Sequence, residues 1–599
     1  VSPSDPRRTV RDRIERRALA VLAVVTTLLL VGMFYYPVGA VFREAFIVDG
    51  RATLGLFLEF LRDPFYFGDL ARLLRGDPLR EVLPSLLSFE RPSSIVGFTA
   101  YQAFLSTILS VILGVPLAYL LARYEFRGRR TLRSLTIVPF VLPSILVAVG
   151  FRATFSTNGP VNTALGFFGL GPVELLFTLE AIVIAHAFYN APLVARVTLA
   201  AWESVDASAI ETARSLGAGP FRAFRDVVAP QLYPSVLMGA TLTFVFTFGT
   251  FPIVLALGDA SLMTVEVRVF RLVERFDYAE AAALAIIELA ISLTILYGYL
   301  RYEAKQTMQS RGARPLPRRP LRPPALTARE LVPRIGLGVY SVVAFVLFVV
   351  PMVSLVIASL TTDGGSWTLD NYRFLLERQV EGAAFQVQPW PAIRNSLLFG
   401  VATLAVALPM GITVSVLTTR RYRGRKVVDV IAMAPLAVSG LIVGLGLLRG
   451  PVFGIEFGGY RLIIGGAIAI VAAHAVAAYP FVVRTVAPGL QNLDPRLVES
   501  ARSLGASRAR ALVDIELPLV WPGVVAGAAF VFAISIGEFS ATVLLATGTD
   551  QFTMPIAIER FIGRRLGPAT AMGVVLLVVT SLSFIVIDRL GGEQRNGGL

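Results

Sequence analysis

Apolar residues gather in long blocks along this chain, rather than alternating with polar residues or recurring along one helical face. A helix needs about 20 mostly apolar residues to cross the hydrocarbon core of a bilayer. Blocks that meet this requirement predict an all-α polytopic membrane protein of about twelve spans. The first six lie near 18–37, 97–122, 132–152, 178–199, 233–257 and 279–300; the second six lie near 336–360, 394–418, 427–448, 462–484, 519–546 and 568–588. Between the two sets, residues 302–333 change character. Arg311, Arg314, Arg318, Arg319 and Arg322 alternate there with Pro315, Pro317, Pro320, Pro323 and Pro324. Proline removes backbone donors and breaks helix and sheet, and the charge favours water. The chain therefore divides into a first module (1–301), a cytoplasmic linker (302–333) and a second module (334–599). Six spans return each module to its starting side.

The first apolar run is preceded by Arg7, Arg8, Arg11, Arg13, Arg16 and Arg17 and lacks a small-residue cleavage site. It reads as a membrane helix rather than a signal peptide, with both termini in the cytoplasm. Of the 599 residues, 55% are hydrophobic, which fits the membrane class. The net charge of +14 would suit nucleic acid in a soluble protein, but in a membrane protein it reads as arginine-rich cytoplasmic loops. Cysteine is absent, so disulfides, thiolate metal sites and cysteine nucleophiles are excluded. Two scattered histidines leave little for a metal site or catalytic triad, and with no clustered carboxylates they stand against a membrane-embedded enzyme, a further competing class.

The two modules are copies. AHAFYNAPLVARV at 185–197 matches AHAVAAYPFVVRT at 473–485, an offset of 288 residues. The same offset relates ETARSLGA at 211–218 to ESARSLGA at 499–506, Pro230 to Pro518, Gly249 to Gly537 and His186 to His474. Phe126-Arg127-Gly128-Arg129 and Tyr422-Arg423-Gly424-Arg425 form a further pair at a slightly different offset. Internal repeats of one orientation imply a parallel, pseudo-two-fold arrangement.

The most informative segment joins the fourth and fifth spans of each module. A short helix-forming run carries Glu211, Ala213 and Gly217 in one copy and Glu499, Ala501 and Gly505 in the other. Small side chains permit close approach of another surface, and glycine ends the helix and turns the chain. A second amphipathic run follows and ends at Pro230 or Pro518. This pattern resembles the coupling motif of binding-protein-dependent ABC importer permeases: E-A-A, three residues, G, then a hydrophobic-x-L-P. The second copy matches with Glu499-Ser500-Ala501, Gly505 and Ile515-Glu516-Leu517-Pro518. The first departs with Thr212 in the middle and Val227-Val228-Ala229-Pro230 at the end. A generic amphipathic helix on the membrane surface is the plain alternative for one such loop; two in equivalent places weigh against it.

The resemblance implies the type I ABC importer permease fold, a lipid-embedded pore in the cytoplasmic membrane, and two copies of an ATPase, one under each loop. It also implies an extracytoplasmic substrate-binding protein. The chain itself binds no ATP: a P-loop requires Gly-Lys-Ser/Thr, and the only lysines, Lys305 and Lys426, do not follow glycine. No cofactor is therefore expected in this chain, with ATP and Mg²⁺ used by the partner. Longer stretches are similar to the fused two-module permeases of the thiamine and iron(III) type. They include FTAYQAFLSTILSVILGVPLAYLLARYEFRGR (98–129), the segment 248–290, ISIGEFSATVLLA (534–546) and FTMPIAIERFIG (552–563). Thiamine or its phosphates are the substrate this implies; iron(III), sulfate, molybdate and other small solutes stay open. External segments near 40–95, 153–177, 259–278, 361–392 and 547–567 are available to the binding protein, and the first also reads as a scaffold of amphipathic helices.

Ionisable groups at membrane depth are costly and call for an explanation. Glu538 is the leading pathway candidate, since a carboxylate facing the pore suits a cationic substrate; Thr250 stands at its equivalent. A hydrogen bond to a neighbouring helix accounts for it as well. Glu288 carries the same two readings. His186 and His474 either line the pathway or make an inherited packing bond, and Arg196 and Arg484 mark the membrane boundary. Gly249 and Gly537 suit close helix approach or a hinge. An ion-driven secondary transporter also fits two parallel six-span halves, but leaves the repeated loop without a purpose.

Overall fold

The computed structural model describes residues 20–48, 50–78, 80–82, 84, 90–136, 142–306, 316–321, 328–362, 364–377, 387–420 and 422–592. Among them, nine helices are long and apolar enough to cross a membrane, from Ala20–Phe46 to Leu566–Ser583. Two bent pairs raise the number to eleven if each is one span. The third expected span, 132–152, is represented by Arg129–Leu135 and Ser144–Phe155; residues 137–141 between them lie outside the described residues.

Three expected spans differ in shape. The ninth, expected as one rod, bends by 94° between Arg425–Ala437 and Gly440–Val452. Pro435 lies in a 3₁₀ turn there, Val438 is extended, and the Ser439 hydroxyl caps a new helix by accepting from Ile442 N at 3.3 Å. The fifth and eleventh end earlier than hydropathy suggests. Ala229–Phe248 stops at Gly249, and Trp521–Gly537 stops at Glu538, whose backbone is extended. Apolar residues continue past both breaks in the short helices Pro252–Leu257 and Thr542–Leu545. Hydropathy therefore counted one span where the backbone turns.

The repeat extends to packing. In one half, helix Ile95–Arg123 packs on Leu179–Glu203 and both pack on Ala229–Phe248; in the other, Pro389–Thr419, Gly466–Asn492 and Trp521–Gly537 do the same. Two glycines fix the first contact. A Cβ on Gly114 would lie 2.6 Å from Ala191 O, and one on Gly411 would lie 2.9 Å from Tyr479 O, the equivalent carbonyl. Only a missing side chain lets the backbones approach this closely.

The described chain forms two compact units, which partition it differently from the sequence repeats. One contains the chain through Val48, Tyr372–Arg560 and the residues from Met572. There Gly446 packs against the backbone of Pro37, and Arg449 pairs with Glu44 at 2.7 Å. The other contains Asp49–Asn371 and Phe561–Ala571. There Gly150 packs against Pro351, and the Tyr340 hydroxyl donates to Leu113 O at 2.8 Å. Each leading helix, Ala20–Phe46 and Arg334–Ser359, thus belongs to the unit dominated by the other repeat.

The segment after the first span contains helices Gly55–Arg62, Pro64–Phe67 and Asp69–Arg75. Phe60 and Tyr66 are buried there with ring centroids 4.4 Å apart, and Arg268 donates to the Tyr66 hydroxyl at 3.1 Å. This is packed scaffold, one of the two expectations for it. In the proline-rich stretch, the described residues 316–321 are not free of regular pairing: Arg319–Pro320 forms a parallel bridge with Tyr124–Glu125.

Candidate functional site

The loops between the fourth and fifth spans fold alike, step for step. Asp206 caps helix Ala207–Ser215 by accepting from Ser208 N at 3.0 Å, and Asp494 caps Pro495–Ser503 by accepting from Arg496 N at 2.9 Å. Each helix ends in a glycine turn. Ala218 N donates to Ala213 O at 3.0 Å, and Ala506 N to Ala501 O at 2.9 Å, with Gly217 at φ 88° and Gly505 at φ 90°. This left-handed closure satisfies carbonyls the helix end would leave bare and is the conformation for which glycine is the best residue. A further helical run follows, Pro220–Ala223 or Arg508–Ala511. It is followed by a five-residue π turn, Phe224–Val228 or Leu512–Glu516, and then the next span.

Within each loop the motif residues divide by direction. Glu211 and Glu499 are exposed, as are Gly217 and Gly505, whereas Ala501 is buried and Ala213 half-buried. The alanines seat the helix on its own protein; the glutamates and glycines face outward. Pro230 and Pro518 are exposed and closely follow the π turns, Pro230 inside the continuous helical stretch Pro220–Phe248 and Pro518 just before the break that precedes Trp521–Gly537. Sequence reasoning passed over Leu216 and Leu504, which are 84% and 89% exposed beside the glycines. The signal was present: an identical leucine on an otherwise polar loop in both copies. Glu499, Arg502, Gly505 and Arg508 line an open depression beside it.

The anchors beneath the loops differ. In the first copy, Val205 and Val228, on either side of the loop, are buried in one apolar cluster with Leu117, Leu121, Trp202 and Leu232. In the second, Glu516 stands where Val228 would. It is buried and receives Arg420 Nη2 on both oxygens, at 2.7 and 2.8 Å.

The intramembrane candidates fall into three clusters. His474 meets Ser535 through Nδ1 at 2.8 Å and Thr542 through Nε2 at 2.8 Å, with Glu538 Oε2 3.3 Å from Nε2. Glu538 also accepts from Ala541 N at 2.8 Å and Thr542 N at 3.0 Å, capping helix Thr542–Leu545. Its carboxylate thus holds its own backbone. His186 meets Ser106 through Nδ1 at 3.2 Å and Thr250 through Nε2 at 3.0 Å; Thr250 stands in the place of Glu538, but the Nδ1 partner comes from helix Ile95–Arg123, whereas Ser535 comes from Trp521–Gly537. Glu288 is a neighbour of neither histidine's ring bonds: it is buried in hydrogen-bonding contact with Glu266, a residue that sequence reasoning did not single out because it lies on the short helix Val265–Glu274 outside the apolar blocks. Gly249 and Gly537 end helices, and a Cβ on Gly249 would sit 3.3 Å from Glu288 Oε1. Among the described residues, no group of three or more His, Asp or Glu is placed to hold a metal ion.

The family described as binding-protein-dependent transport system inner membrane component matches residues 114–303 and again 407–595. The chain belongs to that family. It is a multi-pass inner-membrane permease subunit of an ABC importer, a transport component and not an enzyme. Along 515 residues the permease is 28% identical to the thiamine transport system permease protein of Brucella abortus, covering 84% of this chain and 89% of that one. It is 24% identical over 520 residues to the ferric transport system permease protein of Actinobacillus pleuropneumoniae, covering 84% and 72%. A crystal structure of a bacterial alginate ABC transporter with its oligosaccharide-bound periplasmic protein aligns at TM-score 0.36 and 19% identity, over 45% of this chain and 97% of that one.

Proposed function

We propose that this permease imports thiamine, docking its two loops on two copies of a separate ATPase and receiving substrate from an extracytoplasmic binding protein. The observation that carries the docking is the duplicated loop. Capping aspartate, glycine closure and exposed leucine recur at the same positions in both halves. Two exposed leucines, each just past the end of a short, rigidly terminated helix, offer apolar surface that a partner's cleft can bury. ATP and Mg²⁺ act in that partner. Closure of the ATPase pair moves both loops together, and alternating access follows in the membrane helices. Thiamine is supported by the similarity to thiamine permeases over most of the chain. Both termini and the loops lie on the cytoplasmic side, where the ATPase is.

The test is uptake of labelled thiamine, at nanomolar concentration, by cells lacking this gene and complemented with variants. Wild type restores uptake; Gly217→Asp with Gly505→Asp does not, while the protein stays in the membrane at normal abundance. A Cβ at Gly217 meets nothing within 4 Å, so the substitution strains φ and obstructs the partner without disturbing the permease interior. If deletion leaves thiamine uptake unchanged in cells with no second carrier, the substrate assignment fails, and labelled iron(III) is tested next.

A further inference from the structure

Residues 316–321 lie against the root of the first loop. Leu316 packs on the cluster that holds Val205 and Val228, and Leu321 packs on Leu120, Tyr124 and Leu337. The backbone is fixed at three further points: Tyr124 is paired with Arg319, Glu125 with Pro320, and Leu321 N donates to Glu125 O at 3.1 Å. Arg123 Nη1 reaches Pro317 O at 3.4 Å. Between these contacts Arg318 points at two carboxylates, Glu203 Oε1 at 3.3 Å and Glu125 Oε2 at 3.8 Å.

Glu203 is the last residue of helix Leu179–Glu203, three positions before the capping Asp206. It also takes Arg133 on both oxygens, at 3.2 and 3.3 Å, and Arg129 at 3.5 Å. One carboxylate thus gathers three guanidinium groups at the hinge of the loop. The second half is built otherwise: Gln491 stands at the position equivalent to Glu203 and is exposed, and half-buried Arg420, paired with buried Glu516, anchors that loop from within the same half. The first loop lacks that pair, since Val228 occupies the place of Glu516.

We propose that residues 316–321 form a strap that positions the first coupling helix, with Arg318 a positioning residue acting through Glu203. This rests on the reading that the loop docks on an ATPase. A taut root makes motion of helix Ala207–Ser215 pass into the membrane helices instead of being absorbed by bending at residues 204–206. The exposed Arg133 and Arg318 pairs are weak alone, but with buried Arg129 three guanidinium groups on one carboxylate, with paired backbone beside them, act as a network.

The test uses the full chain assembled with its ATPase and binding protein in proteoliposomes. The chain contains no cysteine, so Glu125→Cys with Pro320→Cys reports the strap alone. Mild oxidation is expected to join the pair rapidly, whatever the transporter does. Arg318→Glu is expected to lower substrate moved per ATP hydrolysed about five-fold, the scale of one lost network contact, and Arg318→Lys to restore most of it. A purely structural role would lower assembly and leave the ratio unchanged. No crosslink overturns the strap; a crosslink with wild-type coupling in Arg318→Glu overturns its positioning role. Gly217→Asp is measured alongside. If it too keeps wild-type coupling, the docking reading itself has failed and the positioning role falls with it. If it uncouples while Arg318→Glu does not, only the strap has failed.

Discussion

The two loops share a backbone and differ beneath it. Aspartate cap, helix, glycine closure, π turn and following span recur in both, yet one root rests on the apolar packing of Val205, Val228 and Trp202 and the other on the pairing of half-buried Arg420 with buried Glu516. Caps and turns are local, so they are tied to residue types at fixed spacings. Anchors are tertiary, and any contact that fixes the root serves. The following helices differ in the same sense: helical backbone is continuous over Pro220–Phe248, whereas Arg508–Leu519 and Trp521–Gly537 meet at a 78° bend. Pro230 and Pro234 sit in the first helix, and Pro518 and Pro522 in the second. The prolines are equivalent, so proline alone does not decide the break.

The largest effect that sharpens this comparison is expected at the ionic root. Arg420→Ala leaves Glu516 buried without its guanidinium partner and is expected to cost about 3 kcal/mol, whereas Val228→Ala removes two methyl groups for about 1.5 kcal/mol. Melting of the detergent-solubilised protein ranks the two; equal losses would mean that the ion pair is not the anchor. Next come the histidine clusters. Glu538→Ala removes a charged cap from two backbone donors and is expected to cost about 2 kcal/mol, against about 1 kcal/mol for Thr250→Ala. If Glu538→Ala melts as wild type but loses transport, the carboxylate serves the substrate rather than the fold. The smallest stability change belongs to the exposed leucines. Leu216→Ala and Leu504→Ala are expected to shift stability by less than about 0.5 kcal/mol, while ATPase binding, measured by co-purification, falls. Unchanged co-purification would remove them from the docking surface.

Much of this was legible in the residues. The recurrence of Glu, Ala and Gly at one spacing in both loops is visible in the residues, their coupling role is what the resemblance to importer permeases implies, and the glycine turn follows from its backbone reason. The histidines were paired by offset, and a packing hydrogen bond was one of their two readings; each ring bonds two hydroxyl groups in the structure. Neither the link from His474 to Glu538 nor the contact of Glu288 with Glu266 was visible, because each joins residues from separate elements. The ninth span read as one rod because hydropathy averages over the Ser439 cap that restarts the helix.

By itself the sequence determined the membrane class, the duplication, most of the spans and the two loops. These depend on block hydropathy, caps and turn residues, which act within a few residues along the chain. Tertiary structure decided the rest. It placed each leading helix with the other repeat's unit, set Val228 in an apolar cluster under one loop and Glu516 against Arg420 under the other, and laid residues 316–321 against Glu203. Such choices depend on contacts between distant segments, where many residue combinations fill the same space and no local spacing distinguishes them.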